Sequence, residues 1–104
     1  MLKLTTENID TTLSNGISLV KFGATWCGPC KMMDRILVKI AEGYVSQPNV
    51  KFCLVDIDES PEIAKHYGIS SVPTMIFVKD GIRSDPFVGI KAEKDIIHMI
   101  ESLK

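Results

Sequence analysis

Two strand-length runs, Ser18–Ala24 and Val50–Ile57, are apolar almost without interruption, and a segment of helical period lies between them. A strand that is apolar on both faces needs cover above and below, whereas a strand with one wet face alternates. In the intervening segment Met33, Ile36, Leu37, Ile40 and Tyr44 recur at helical spacing, while Lys31, Asp34, Val38 and the more lateral Arg35 fall largely elsewhere. Pro48-Asn49 then breaks the chain before the second run. Two buried strands joined by an amphipathic helix predict a parallel crossover unit inside a layered α/β domain.

The flanking segments extend that unit. A short strand near Lys3 and Leu4 precedes a brief helix that Thr6 can cap, running through Leu13 and stopped by Asn15-Gly16. Ser60 and Pro61 open another helix, because serine can accept from orphan amides and proline is tolerated at the first helical position; Gly68 closes it. Thr74–Lys79 reads as a strand. Asp80-Gly81 is a two-residue hairpin signal leading into Ile82–Val88, where Pro86 cannot donate to a ladder and so belongs at a sheet edge. A last helix, Ala92–Leu103, buries Ile96, Ile97, Ile100 and Leu103. The expectation is one α/β domain over residues 1–104: a three-layer α/β/α sandwich with a central mixed five-stranded sheet and four helices.

Charge and hydropathy narrow the function. With 12 basic and 13 acidic residues the formal charge is −1, and no run of Lys or Arg concentrates charge, so nucleic acid is not an expected partner. The apolar stretches are strand-sized and no leader pattern follows Met1, so the reading is a cytoplasmic protein without a membrane partner, with a monomer as the expected state.

Three cysteines are too few, and odd in number, for a disulfide-stapled fold. Two lie in Trp26-Cys27-Gly28-Pro29-Cys30, where the first long apolar strand hands over to the long helix. Only a thiolate attacks a disulfide, so a redox cysteine needs a lowered pKa, solvent access and a second thiol to release the mixed intermediate. Cys27, at the mouth of the helix, faces unpaired N–H groups and the positive dipole end, which makes it the nucleophile. Cys30, within the first turn on the same side, is the more enclosed resolving thiol. A zinc half-site is the competing reading of Cys-x-x-Cys, but Cys53 is isolated, His66 and His98 are far apart, and no second pair exists.

Ala24-Thr25-Trp26-Cys27-Gly28-Pro29-Cys30-Lys31-Met32 resembles the active-site segment of the thioredoxin family. Gly68-Ile69-Ser70-Ser71-Val72-Pro73-Thr74 resembles its loop with a cis-proline opposite the cysteines, and Phe87-Val88-Gly89 resembles its third substrate-facing segment. The resemblance implies a protein-disulfide reductase with no bound cofactor. Its active disulfide is Cys27–Cys30, its clients are disulfide-containing proteins, and a flavin-dependent thioredoxin reductase restores the dithiol with NADPH. It also implies a cis Val72-Pro73 bond, where the chain alone favours trans. Trp26, Gly28, Pro29, Val72, Pro73 and Gly89 would border the apolar patch that receives the target. A thiol oxidase or isomerase would carry a secretory leader and usually a different central dipeptide, and a pure binding module would not need the cysteine pair.

The chain departs from this family at Lys21, where relatives usually bury an aspartate under the resolving cysteine. An ammonium on a strand buried on both faces must be neutral, paired, or carried to solvent on its stem. A charged Lys21 near the pair would favour the Cys30 thiolate and make the couple more oxidising. Arg35 stands where many relatives have a helix-kinking proline. Cys53 reads as a core residue, and His66 and His98 as surface residues.

Overall fold

A computed structural model describes residues 1–104. The elements run β1 (Leu2–Lys3), α1 (Ile9–Leu13), β2 (Ile17–Gly23), α2 (Gly28–Glu42), β3 (Val50–Asp56), α3 (Pro61–His66), β4 (Thr74–Lys79), β5 (Ile82–Arg83), β6 (Phe87–Val88) and α4 (Glu93–Leu103). They form a mixed sheet in the order β1-β3-β2-β4-β5, with β6 also paired to β4. β1, β3 and β2 are mutually parallel, and β4 lies antiparallel to β2.

All seven residues of β2 are buried, as its unbroken apolar character requires of a central strand. Its side chains alternate between two cores. Ile17 and Leu19 join Met33, Leu37 and Ile40 of α2 and Ile96 and Ile100 of α4 on one face. Val20 and Phe22 join Ile9 and Leu13 of α1, Ile63 of α3 and Cys53 and Val55 of β3 on the other. Lys21 shares the α2 face, because period-two alternation puts it with Leu19.

Four local expectations need correction. The strand expected over Ile82–Val88 is split into two short strands, both paired to β4, so the one edge strand of the expected sheet is counted as two. Ser84 breaks the ladder: its hydroxyl accepts the Phe77 amide at 3.0 Å and its own N–H donates to the Phe77 carbonyl at 2.7 Å, and Pro86 just after has no N–H to resume pairing. The first helix begins at Ile9, not after Thr6. The Asn8 side chain reaches back, accepting from the Thr5 amide at 2.8 Å and donating to the Lys3 carbonyl at 3.1 Å, so residues 6–8 form a turn. Ser60 makes no side-chain cap, and its carbonyl accepts from the Ile63 and Ala64 amides instead. In α4, Ile96 and Ile100 are fully buried, whereas Ile97 and Leu103 pack at the edge of the core. The hairpin is as expected: Asp80 and Gly81 have φ of 50° and 85°, the positive values that a type I′ turn demands.

Leu37, on α2, has no exposed surface and sits between the sheet and α4, whereas the neighbouring Val38 is 49% exposed. Leu37→Ala is expected to cost about 2–5 kcal/mol in chemical denaturation, and Val38→Ala less than about 0.5 kcal/mol.

Candidate active site

The cysteine pair lies where β2 ends and α2 begins. Cys27 is the N-cap residue of α2, in extended conformation, and its Sγ accepts from the Cys30 backbone N–H at 3.1 Å. A helix start leaves amides without intrahelical acceptors, and Pro29 at the second position has none to offer. The Cys30 amide is therefore directed at the Cys27 sulfur. The two residues are joined in a disulfide with their Cα atoms 5.3 Å apart.

Both cysteines are enclosed. Cys30 is 1% exposed and Cys27 only 5%, so the solvent access expected for Cys27 is confined to a narrow opening in this disulfide form. Ala24, Ile57 and Val72 pack around the pair and account for that cover. The ranking expected between them, Cys30 deeper than Cys27, holds.

The other expected site residues surround this opening to different degrees. Trp26 is 67% exposed, and Gly28 and Pro29 are exposed beside it. Val72 packs on the cysteines, the Val72–Pro73 bond is cis, and the Gly89 amide donates to the Pro73 carbonyl at 2.9 Å. Thus one backbone bond ties the loop of Val72 and Pro73 to the segment that follows β6. The sequence reading missed Asp58, whose Oδ2 accepts from the Trp26 indole at 2.8 Å. Its position just past β3, at the same sheet end as the cysteines, is the only signal that could have pointed to it.

Lys21 is 4% exposed, so its stem does not carry the ammonium to open solvent. It is paired: Nζ donates to Oδ1 of Asp34, a half-exposed residue one turn beyond Cys30 on α2. That pairing supplies the partner a buried charge requires. Asp34 fell on the polar side of the helical pattern and gave no sign of this role.

The comparisons with known proteins agree with this geometry. The thioredoxin family model matches residues 1–102. The chain belongs to the thioredoxin family. It is 38% identical to a thioredoxin of Staphylococcus saprophyticus over 101 residues, covering 97% of this chain and 95% of that one, and 35% identical to a Staphylococcus aureus thioredoxin over the same shares. Among solved structures it is similar to a mutant thioredoxin from Halobacterium salinarum, with TM-score 0.81 and 34% identity, covering 97% of this chain and 86% of that one. A chain from a study of thiol resolution in yeast mitochondrial 1-Cys peroxiredoxin superposes with TM-score 0.82 and 35% identity, covering 98% of this chain and 94% of that one. The family and the Cys27–Cys30 pair make this chain a thiol–disulfide oxidoreductase that works through a redox-active disulfide, and recycling by thioredoxin reductase is general to the family. No group of three or more His, Cys, Asp or Glu is placed to hold a metal ion, and no helix is long and apolar enough to cross a membrane.

Cys53 lies outside this chemistry. It has no exposed surface, and burial pushes its thiol up from 9.0 to about 11, with Lys51 and the N-terminal amine pulling the other way. His66 and His98 are exposed. Because folded Cys53 holds its proton more tightly than the unfolded chain, its contribution to stability is intact below pH 9 and is lost as pH rises toward about 11. In the reduced folded protein a thiol reagent at neutral pH is expected to label Cys27 but reach the enclosed Cys30 and Cys53 only after denaturation. Cys53→Val should flatten part of the alkaline loss of stability.

Proposed function

We propose that the chain is a cytoplasmic, monomeric protein-disulfide reductase in which Cys27 attacks and Cys30 resolves. The observation that carries the assignment of roles is the Cys30 N–H aimed at the Cys27 sulfur at a helix N-terminus, with Cys30 itself at 1% exposure behind it. In the reduced protein that amide and the helix dipole favour negative charge on Cys27.

In the proposed cycle the Cys27 thiolate attacks one sulfur of a client disulfide. The Cys27–client bond forms as the client S–S bond breaks, and the first client sulfur leaves with the electron pair. Cys30, as thiolate, then attacks Cys27; the Cys27–Cys30 bond forms and the second client sulfur leaves, taking a proton from water. A thioredoxin reductase, drawing on NADPH through its flavin, returns the dithiol.

Trp26, Gly28, Pro29, Val72, Pro73 and Gly89 are proposed to receive the client. Exposed apolar surface at Trp26 and Val88 beside the opening supports this, as does the Asp58 bond that steadies the indole. An extended client strand would lie along the Val72-Pro73 backbone. The domain spans residues 1–104, and neither a nucleic acid nor a membrane partner is part of this reading.

Turbidimetric reduction of insulin by dithiothreitol tests the proposal. The chain should accelerate it, Cys27→Ser should abolish the acceleration, and Cys30→Ser should accumulate a mixed disulfide with insulin through Cys27. Activity retained in Cys27→Ser, or trapping through Cys30 instead, would reverse the assignment.

A further inference from the structure

The gap under the cysteine pair is shaped by a glycine. A methyl group at Gly23 would lie 2.8 Å from Lys21 Nζ, 3.0 Å from Lys21 Cε and 3.2 Å from Cys30 Sγ. The ammonium and the resolving sulfur therefore both crowd the point where a β-carbon would stand, a space too tight for a methyl that only glycine leaves free between them. The space continues into a cavity of about 360 Å³ whose charged lining is Lys21 from β2, Lys31 and Asp34 from α2, Asp56 from β3, and Lys3 from β1.

Those charges are not equivalent. Lys3 is engaged by Glu59 at 2.8 Å. Asp56 Oδ1 accepts the backbone amides of Asp58 and Glu59 at 2.9 and 3.2 Å. Lys31 is an exposed residue. Lys21 alone among the cations is buried, and Asp34 is its partner. At short range and away from bulk water, a single charge outweighs the more distant, screened ones.

We propose that Lys21 is the positioning residue that sets the acidity of Cys30 in the reduced protein, acting across the gap at Gly23, and that Asp34 opposes it by competing for the same ammonium. The inference rests on Cys30 being the resolving thiol. When Cys30 gives its proton to water, the thiolate gains Lys21 as a neighbouring countercharge. That favours the species that attacks Cys27 and expels the client sulfur. The same interaction stabilises the dithiol form over the disulfide, since the disulfide carries no charge for Lys21 to meet.

The residues predict opposite signs. Lys21→Met removes the cation and should raise the Cys30 titration midpoint by about one unit or more. At a fixed glutathione ratio it should also raise the fraction of protein in the disulfide form. Asp34→Asn removes the competitor and should lower the midpoint and shift the glutathione equilibrium the other way. Gly23→Ala changes no charge, but its methyl would stand 2.8 Å from Nζ and must push the ammonium aside, and it should raise the midpoint as Lys21→Met does. The measurement is ¹³Cβ-cysteine NMR of the reduced full-length chain across pH, with glutathione equilibration and insulin reduction on the same samples.

A merely structural pair would move Lys21→Met and Asp34→Asn in the same direction, or leave both midpoints unchanged, and either result overturns the proposal. If Lys21→Met does not fold, Asp34→Asn and Gly23→Ala still decide it, because neither removes the buried lysine. Insulin reduction that is normal in the parent chain while the midpoints stay fixed defeats this inference alone. Its absence from the parent chain defeats the proposed function instead.

Discussion

The burial of β2 on both faces governs where everything else in this molecule can go. A strand with all seven residues out of water must sit mid-sheet, with β3 on one side, β4 on the other and helices above and below. Its C-terminal end is then the first place where the chain can return to the surface. Cys27 falls shortly past Gly23, at the turn into α2. The start of α2 is in turn held against the sheet by Met33 and Leu37, neither with any exposed surface. The reactive pair is thus mounted on a junction anchored from both sides, with its amide donor supplied by the helix that the same burial holds in place.

That position creates an electrostatic problem that the chain solves with its own side chains. Alternation along β2 directs residue 21 toward α2 and residue 23 under the cysteines. A lysine there is tolerable only with a partner, and α2 supplies Asp34 one turn beyond Cys30. The Cys30 sulfur is placed beside an ion pair and not beside a lone charge. The acidity of such a sulfur depends on how the ammonium is shared, and so responds to the geometry of the gap as well as to the charges.

The layer architecture, the crossover order, the Asp80-Gly81 hairpin and the redox pair were legible in the chain because each rests on local periodicity or on fixed spacing. What was misread depended on side chains that bond to backbone beyond their own element. Ser84 resembles an ordinary strand residue until its hydroxyl replaces a ladder acceptor for Phe77, and Asn8 resembles a helix residue until it folds back to Lys3 and Thr5. Of the candidate site, Cys27 and Cys30 could be read directly, while Trp26, Gly28, Pro29, Val72, Pro73 and Gly89 came through family resemblance alone. Asp34 gave no signal and Asp58 only its position just past β3, since an acidic residue on a polar face or in a loop is the commonest thing a surface offers.

The order of residues by itself determined that two thiols sit within one helical turn at the end of a buried strand. Strand burial, helix period and the spacing of Cys27 and Cys30 are properties of a short stretch of chain. Only the tertiary structure decided what surrounds them: the cis Val72–Pro73 loop against the pair, the Gly89 amide on Pro73, the indole held by Asp58 and the Lys21–Asp34 bridge below. Those neighbours come from different elements, and their meeting depends on how the sheet orders its strands and how α2 is seated upon it, which no local pattern encodes.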